Sequence, residues 1–295
     1  MRIPLLAALL LVGTPAFAAE TASFLNVGVG GRALGMGGAY TALADDANAI
    51  YWNPAGLTGV EKNAAQASHA ELAQSTREDF LAYARTTPQG TLGAAVTYLS
   101  QGQADGRDAL GHPTGSFTAS DAAAAFGYGR KTELADFGAS VKYLRSHIGS
   151  AEAQSFAVDV GAKRRLGDIQ LGAALRNAGP GMKFDDQRND LPLRLAFGAA
   201  YTFTGGHAVA AEVTNGPRGA GTDVGFGGEY QAIKNVYLRA GYTTQTAIAG
   251  GSGFDAARGL TLGLGLRRDG WTLDYAAAPM GDLGSTHRFT LGARW

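Results

Sequence analysis

Apolar and polar side chains alternate along most of this chain. Leu191, Leu193, Leu195, Phe197, Ala199, Tyr201 and Phe203 share one parity, with Arg194, Ala196, Gly198 and Thr202 on the other. Leu260, Leu262, Leu264 and Leu266 oppose Thr261, Gly263, Gly265 and Arg267. Val236, Leu238, Ala240 and Tyr242 oppose Arg239, Gly241 and Thr243. A period of two is that of a β-strand, whose successive side chains point to opposite faces. About fourteen such segments follow Glu61. The stretch from Asn63 to Leu72 alternates only weakly and is counted as a strand to complete the set. The segment Thr286 to Trp295 places Phe289, Leu291, Ala293 and Trp295 on one face and Arg288, Thr290, Gly292 and Arg294 on the other. A final strand ending on an aromatic suits the close of an outer-membrane barrel, with Phe289 and Trp295 as the insertion signal offered to the barrel assembly machinery.

The connections alternate in length. Short ones fall at Pro88-Gln89-Gly90, Lys131-Thr132-Glu133, Gly167-Asp168, Gly205-Gly206, near Ile233 to Asn235, and at Asp269-Gly270. Asp-Gly and Gly-Gly suit tight hairpin turns. Longer ones are expected at Gln101 to Ser116, Gly179 to Asp190, Thr246 to Ala257 and Met280 to Ser285. Tight turns on one rim and longer loops on the other are the habit of transmembrane barrels. Phe126, Tyr128, Phe203, Tyr230, Trp271 and Trp295 lie near the short turns and suit an interfacial aromatic girdle.

Composition agrees with this placement. Gly is 44 of 295 residues, about twice ordinary usage. Charged residues are 17%, against about a quarter in most domains. Lys+Arg 25 balance Asp+Glu 25, so nothing favours a nucleic-acid partner. Without Cys there is no disulfide and no thiolate ligand. Arg2, an apolar run from Ile3 to Val12 and Ala16-Phe17-Ala18 read as a cleaved signal peptide, with a mature start near Ala19.

With the apolar faces outward in lipid, Arg194, Glu212, Asp223, Glu229, Arg239, Arg267, Asp274 and Arg288 face the lumen. The alternative is expensive, since an Arg or Lys on the lipid face costs about 2–4 kcal/mol at the midplane. These groups are read as structural ion pairs, or as a polar path or gate.

Before the strands lies a segment that does not alternate: Gly31-Arg32-Ala33-Leu34-Gly35-Met36-Gly37-Gly38-Ala39-Tyr40, then Ala44-Asp45-Asp46-Ala47-Asn48-Ala49 and Trp52-Asn53-Pro54-Ala55-Gly56-Leu57. Asp45 or Asp46 is expected to cap a short helix through Trp52. Asn53-Pro54 stops that helix and can cap another turn, which Gly56 can end. The segment is too small to fold alone and is placed inside the barrel, at its periplasmic end. Gly35, Gly37, Gly38, Asp45, Asp46, Asn53, Pro54 and Gly56 form the core of this plug motif.

These same residues resemble the start of PorV/PorQ-family outer-membrane proteins. More distantly they are similar to the FadL type of long-chain fatty acid transporter, which shares the N-P-A-G element. The resemblance implies a fourteen-stranded barrel with an N-terminal plug. In FadL-type members hydrophobic molecules pass through the wall or lumen. In PorV-type members the barrel serves type IX secretion, docking or carrying secreted client proteins.

Catalytic patterns are weak. Gly28-Val29-Gly30-Gly31-Arg32-Ala33 matches a loose dinucleotide pattern without its βαβ setting. Ser285 and His287 lack an acid at a recognisable spacing. The expectation is therefore an all-β transmembrane barrel of about fourteen antiparallel strands with a short helical plug, without enzymatic activity, metal or cofactor. Its organisation is 1–18 signal peptide, 19–60 plug and 61–295 barrel. Its partners are outer-membrane lipid and either a hydrophobic small molecule or a secreted client.

Overall fold

The alternating segments pair with their neighbours along the chain and close on themselves. A computed structural model describes residues 20–73, 75–107, 110–218, 220–245, 259–279 and 285–295. The proposed signal peptide and the loop at 246–257 lie outside these residues, as do positions 280–284 of the last connection. The strands are β1 Asn63–Glu71, β2 Arg77–Thr87, β3 Gly90–Arg107, β4 Pro113–Lys131, β5 Asp136–Ile148, β6 Ala151–Leu166 and β7 Ile169–Ala178. A small hairpin follows, β8 Met182–Phe184 with β9 Gln187–Asn189. The series resumes with β10 Arg194–Thr202, β11 Ala208–Gly216, β12 Gly221–Ile233, β13 Val236–Thr243, β14 Leu260–Arg268, β15 Trp271–Pro279 and β16 Ser285–Arg294. Fourteen of them form one closed antiparallel barrel. At its seam β1 pairs with β16, and Asn63 and Trp295 exchange backbone hydrogen bonds of 3.0 and 3.2 Å.

Closure leaves the apolar parity outside. Leu81, Val96, Phe126, Phe156, Phe197 and Leu262 are each more than half exposed, while Ala82, Ala95, Ala125, Ala157 and Ala196 on the opposite parity are buried. A water-soluble sandwich would bury the first set; a lipid-facing wall exposes it. The six girdle aromatics all face outward. Tyr128 donates its hydroxyl hydrogen to the Gln89 carbonyl in a short turn, which fixes that ring at the rim.

Short connections at 88–89, 132–135, 167–168, 203–207, 234–235 and 269–270 share one rim. The far rim is less uniform than expected. The stretch Gln101 to Ser116 is not a loop: β3 runs on to Arg107 and β4 starts at Pro113. Spanning takes about 9–11 residues, so these 18- and 19-residue strands stand above the rest of the wall. Residues Pro113 to Thr118 are exposed on both faces, as such an overhang must be. At 149–150 the far rim has a two-residue turn. The stretch Gly179 to Asp190 holds the β8–β9 hairpin, which was not foreseen because three-residue strands in a Gly, Pro and Asp-rich loop carry no measurable period.

β7 ends at Ala178, whereas β6 continues to Ala151 at the same rim. The β6–β7 ladder shifts register between Val158 and Val160 and ends at Val158↔Ala178. Residues 151–157 of β6 therefore lack a β7 partner. There the chain turns inward, with Ser155 Oγ donating to the Pro180 carbonyl at 2.6 Å and Met182 fully buried.

Candidate functional site

The lumen is occupied by the chain's own residues 20–60. Their path begins at the far rim, where Arg194 holds Glu20 through two hydrogen bonds of 2.9 and 2.8 Å and Thr21 N donates to the Asp190 carbonyl. A 3-10 turn at Ser23–Asn26 presents Phe24 and Leu25 to Leu99, Leu144, Met182 and Leu191, forming an apolar cluster under the hairpin. Further down, the Tyr51 hydroxyl accepts from Gly28 N (2.9 Å) and donates to the Leu25 carbonyl (2.7 Å). Trp52 Nε1 donates to the Val29 carbonyl at 3.0 Å. The path ends at the short-turn rim, where Thr58 Oγ1 donates to Asp136 at 2.7 Å. The segment thus runs the height of the barrel rather than sitting only at the short-turn end, as had been expected.

Its helices are α1 Gly31–Gly35, α2 Ala49–Trp52 and a 3-10 turn at Pro54–Gly59. The expected capping is half right. Asn53 accepts from Ala55 N at 3.1 Å, with Pro54 in the first helical position. At α2 the N-cap is Asn48, without a side-chain bond. Asp46 accepts from Asn48 N at 3.0 Å, whereas Asp45 turns away to Arg32 and Arg294. Gly56 does not end its turn, which continues to Gly59. Its role is steric, since a side chain there would strike the Ala44 carbonyl.

Close approach explains the glycine content. Inward-facing wall positions at Gly138, Gly161, Gly172, Gly225, Gly227 and Gly241 lie against Pro54, Asn53, Thr41, Gly37, Met36 and Gly37 of the segment. A Cβ at any of them would overlap a backbone or amide atom. From the other side, Gly35 lies against Gly263, and Gly37, at φ +65°, against the Tyr242 and Phe226 carbonyls. Gly38 takes φ +74° in the same bend.

The eight foreseen charges all take the inward parity, and they fall into two groups. Near the short-turn rim Glu229 accepts from Arg32, from Arg239 at 2.7 Å and from Arg267 at 3.1 Å. Arg239 also donates to Asp274 at 2.7 Å. Arg32 reaches Asp45 at 3.0 Å. Towards the far rim Arg288 pairs with Glu78 at 2.6 Å, Arg194 with Glu20, and Asp223 accepts from Thr244 at 3.4 Å. Glu212 accepts the backbone amides of Tyr40 and Thr41 at 3.0 and 2.8 Å.

Several lumen groups were missed, although their parity would have found them. Lys142 pairs with Asp159 at 2.6 Å, both fully enclosed. Asp159 also accepts from Asn177 N at 2.7 Å, bracing the irregular β6–β7 junction. The Arg176 guanidinium lies 5.4 Å from the Trp52 ring centre.

Within the segment, two adjacent carboxyls behave oppositely. Burial pushes Asp46 above the usual carboxylate range, and Asp45 beside it adds to that. Burial acts upward on Asp45 as well, but Arg32, with Arg294, Lys163 and Arg267, outweighs it and holds Asp45 below the usual range. A cavity of about 320 Å³ opens beside this group, lined by Arg32, Asp45, Asp46, Gln66, Arg267 and Arg294 among others. Its charges balance and its walls are polar, so it suits water and ions better than an apolar molecule.

Ser285 Oγ lies 3.1 Å from His287 Nε2, but the other ring nitrogen meets the Tyr275 hydroxyl at 2.7 Å in place of a carboxylate. Phe289 and Trp295 face outward near the seam. Among the described residues no group of three or more His, Cys, Asp or Glu is placed to hold a metal ion.

Solved structures agree with the closed fourteen-stranded barrel in fold. The P. putida toluene transporter TodX matches with a TM-score of 0.65 at 13% identity, over 91% of this chain and 99% of its own. The Ralstonia pickettii toluene transporter TbuX matches with a TM-score of 0.67 at 14% identity, over 91% and 98%. A Pseudomonas aeruginosa FadL homologue gives 0.59 at 12%, over 90% and 98%. By sequence, the profile of the uncharacterised protein family UPF0164 matches residues 14–190, and the chain belongs to that family. Among curated proteins no sequence matches this chain. The likeness to PorV/PorQ proteins and the client-docking role it implied receive no support from these matches.

Proposed function

We propose that this protein is a non-enzymatic outer-membrane barrel that admits small, largely hydrophobic molecules, with residues 19–60 as its plug. In this reading residues 1–18 are a signal peptide and residues 61–295 the barrel proper. The observation that carries the reading is the division of the lumen. Under the far rim lies an apolar cluster around Phe24, Leu25, Leu99, Leu144 and Met182, flanked by the Arg194–Glu20 and Arg288–Glu78 pairs, and near the short-turn rim Arg32, Glu229, Arg239 and Asp274 form a connected network of ion pairs. The cluster is buried beneath the Phe24 turn, so an apolar molecule that displaces that turn exchanges its contacts for equivalent ones. It then meets charged groups whose desolvation it cannot replace. The way onward that avoids those charges is sideways, past the unpaired edge of β6 at residues 151–157, where the hairpin backs the wall. The solved transporters that share this fold carry toluene in their names, which supports an apolar cargo.

Against client docking, Met182 points into the barrel and Phe184 packs on the same cluster instead of standing free at a loop tip. Of the other apolar residues in or near the long connections, Leu110 and Phe117 are exposed, whereas Ile248, Phe254 and Leu283 lie outside the described residues.

The test is the initial uptake of radiolabelled toluene, and separately of a long-chain fatty acid, by cells making the protein and by cells carrying empty vector. Faster uptake of either compound supports the reading. Equal rates for both, with the protein verified in the outer membrane, overturn it.

A further inference from the structure

We propose that the outer wall carries a site for one anionic phospholipid, with an acyl chain in a groove across β2 to β6 and the phosphate on Arg85 and Arg130. The site rests on the membrane placement proposed above, not on the nature of the cargo.

The groove is an apolar depression of about 490 Å³ on the lipid-facing side, close to the short-turn rim. Two cross-strand rows build it. One runs Arg85–Leu92–Tyr128–Ala139 and the other Tyr83–Ala94–Phe126–Val141–Val158. Its depth comes from residue size. Ala94 stands between Tyr83 and Phe126, and Ala139 beside Tyr128, so small side chains form the floor and aromatic ones the banks. The backbone at Gly93 and Gly127 lies beneath, because both glycines turn their missing side chains towards Ile50 and Leu57 of the plug.

The rim end of this groove is polar. Tyr83 donates its hydroxyl hydrogen to Asn63 at 2.8 Å, and Tyr128 donates to the Gln89 carbonyl, so both hydroxyls sit at headgroup height. Arg85 lies in the outer row, and Arg130 one residue pair nearer the rim, opposite Phe137. Both face outward and neither forms an ion pair or side-chain hydrogen bond among the described residues. By contrast Arg145, outward at the far rim, is clamped by Glu152 at 2.6 and 2.9 Å. Two uncompensated guanidiniums over an apolar groove complement a phosphate with an attached hydrocarbon chain. A free phosphate would match the cations but not the groove.

Native mass spectrometry of the delipidated barrel, titrated with phosphatidylglycerol, tests the site. One tightly retained lipid is expected for the unaltered protein. Retention should fall about tenfold in R85S/R130S, which removes both headgroup contacts, and comparably in Ala94→Phe, which fills the groove. It should be unchanged in Arg268→Ser, which removes an exposed cation of the same rim on β14, away from the groove. Glycerol phosphate should not compete. Equal retention by the unaltered protein and by both site variants, or an equal loss in Arg268→Ser, overturns the site. Insertion into vesicles is scored in parallel. A barrel that inserts but retains no lipid overturns the site alone, whereas one that fails to insert overturns the membrane placement together with the site.

Discussion

Arg32 grips Glu229 at two points, Nε to Oε2 at 3.0 Å and Nη2 to Oε1 at 3.1 Å, so a guanidinium of the lumen segment is forked onto a carboxylate of the wall. The same guanidinium reaches Asp45 at 3.0 Å. Without Arg32, Glu229 keeps Arg239 and Arg267 and Asp45 keeps Arg294, so the loss falls on the anchorage of the segment to the wall. Arg32→Met is expected to loosen the segment while leaving the barrel folded. Planar-bilayer recordings should then show larger and more frequent ion conductance than the unaltered protein, and Arg32→Lys, which keeps a cation facing Glu229, should recover part of the difference.

Steric fit gives a second expectation. A Cβ at Gly138 would collide with the Pro54–Ala55 backbone, whereas one at Gly198 would find its nearest neighbour, Ala42 N, at 3.1 Å. Overpacking typically costs about 1–3 kcal/mol, and a backbone neighbour on a wedged segment has little room to yield. Gly138→Ala should lower the denaturant midpoint clearly, and Gly198→Ala much less. Equal midpoints would mean that the segment is not pressed against the wall.

The paired carboxyls make acid sensitivity directional. Asp45 is held below its ordinary value of 3.8, so its contribution is complete above that value and is lost as pH falls through the lower folded one. Asp46 has a raised value, so its protonation favours the folded form and its charge at neutral pH opposes it. Asp45→Asn should therefore loosen the segment at neutral pH, and Asp46→Asn should not. Limited proteolysis across a pH series reads both effects. The Asp45 side chain is 41% exposed, so salt should weaken its part.

At the far rim Met182 is fully buried beside Phe24 and Leu25. Met182→Glu would place a carboxylate among apolar groups, which the hairpin can relieve by swinging out. Uptake of the apolar probe is expected to change with this variant, while the midpoint of barrel unfolding stays near that of the unaltered protein.

Phe289 and Trp295 project outward on the closing strand, and Trp295 packs 6.2 Å from Tyr83 across the seam. Trp295→Ala should slow assembly, read as a smaller heat-modifiable fraction on unheated gels at early times. Phe289→Ala, on a ring more deeply set in the apolar belt, should act in the same direction.

The wall was legible in the chain because its outward faces are made of large apolar residues at strict alternation. β1 was faint for the same reason. Its outward side carries Ala65, Ala67 and His69, and its inward side Gln66 and Ser68, so size and polarity hardly differ between faces. The lumen charges followed from parity alone. Their pairing did not, since Arg32 and Glu229 are separated by nearly the whole barrel in sequence and meet only after closure. Asn53 was readable as a cap from its proline neighbour. Its contact with Gly161 was not, because nothing local to either residue records which wall position the segment will touch. The glycine excess was visible as a number, but its cause needed both surfaces at once.

The seam has a consequence for biogenesis. β1 is joined to β16, the last barrel strand along the chain, and residues 20–60 precede β1. Wall backbone at Gly138, Gly172 and Gly241 approaches that leader closely from different strands, so the seated leader fills the space between them. A sheet that curls around its own beginning, with the leader seated while one edge is still open, makes these contacts without threading, and closure at the β1–β16 seam then locks the leader in place.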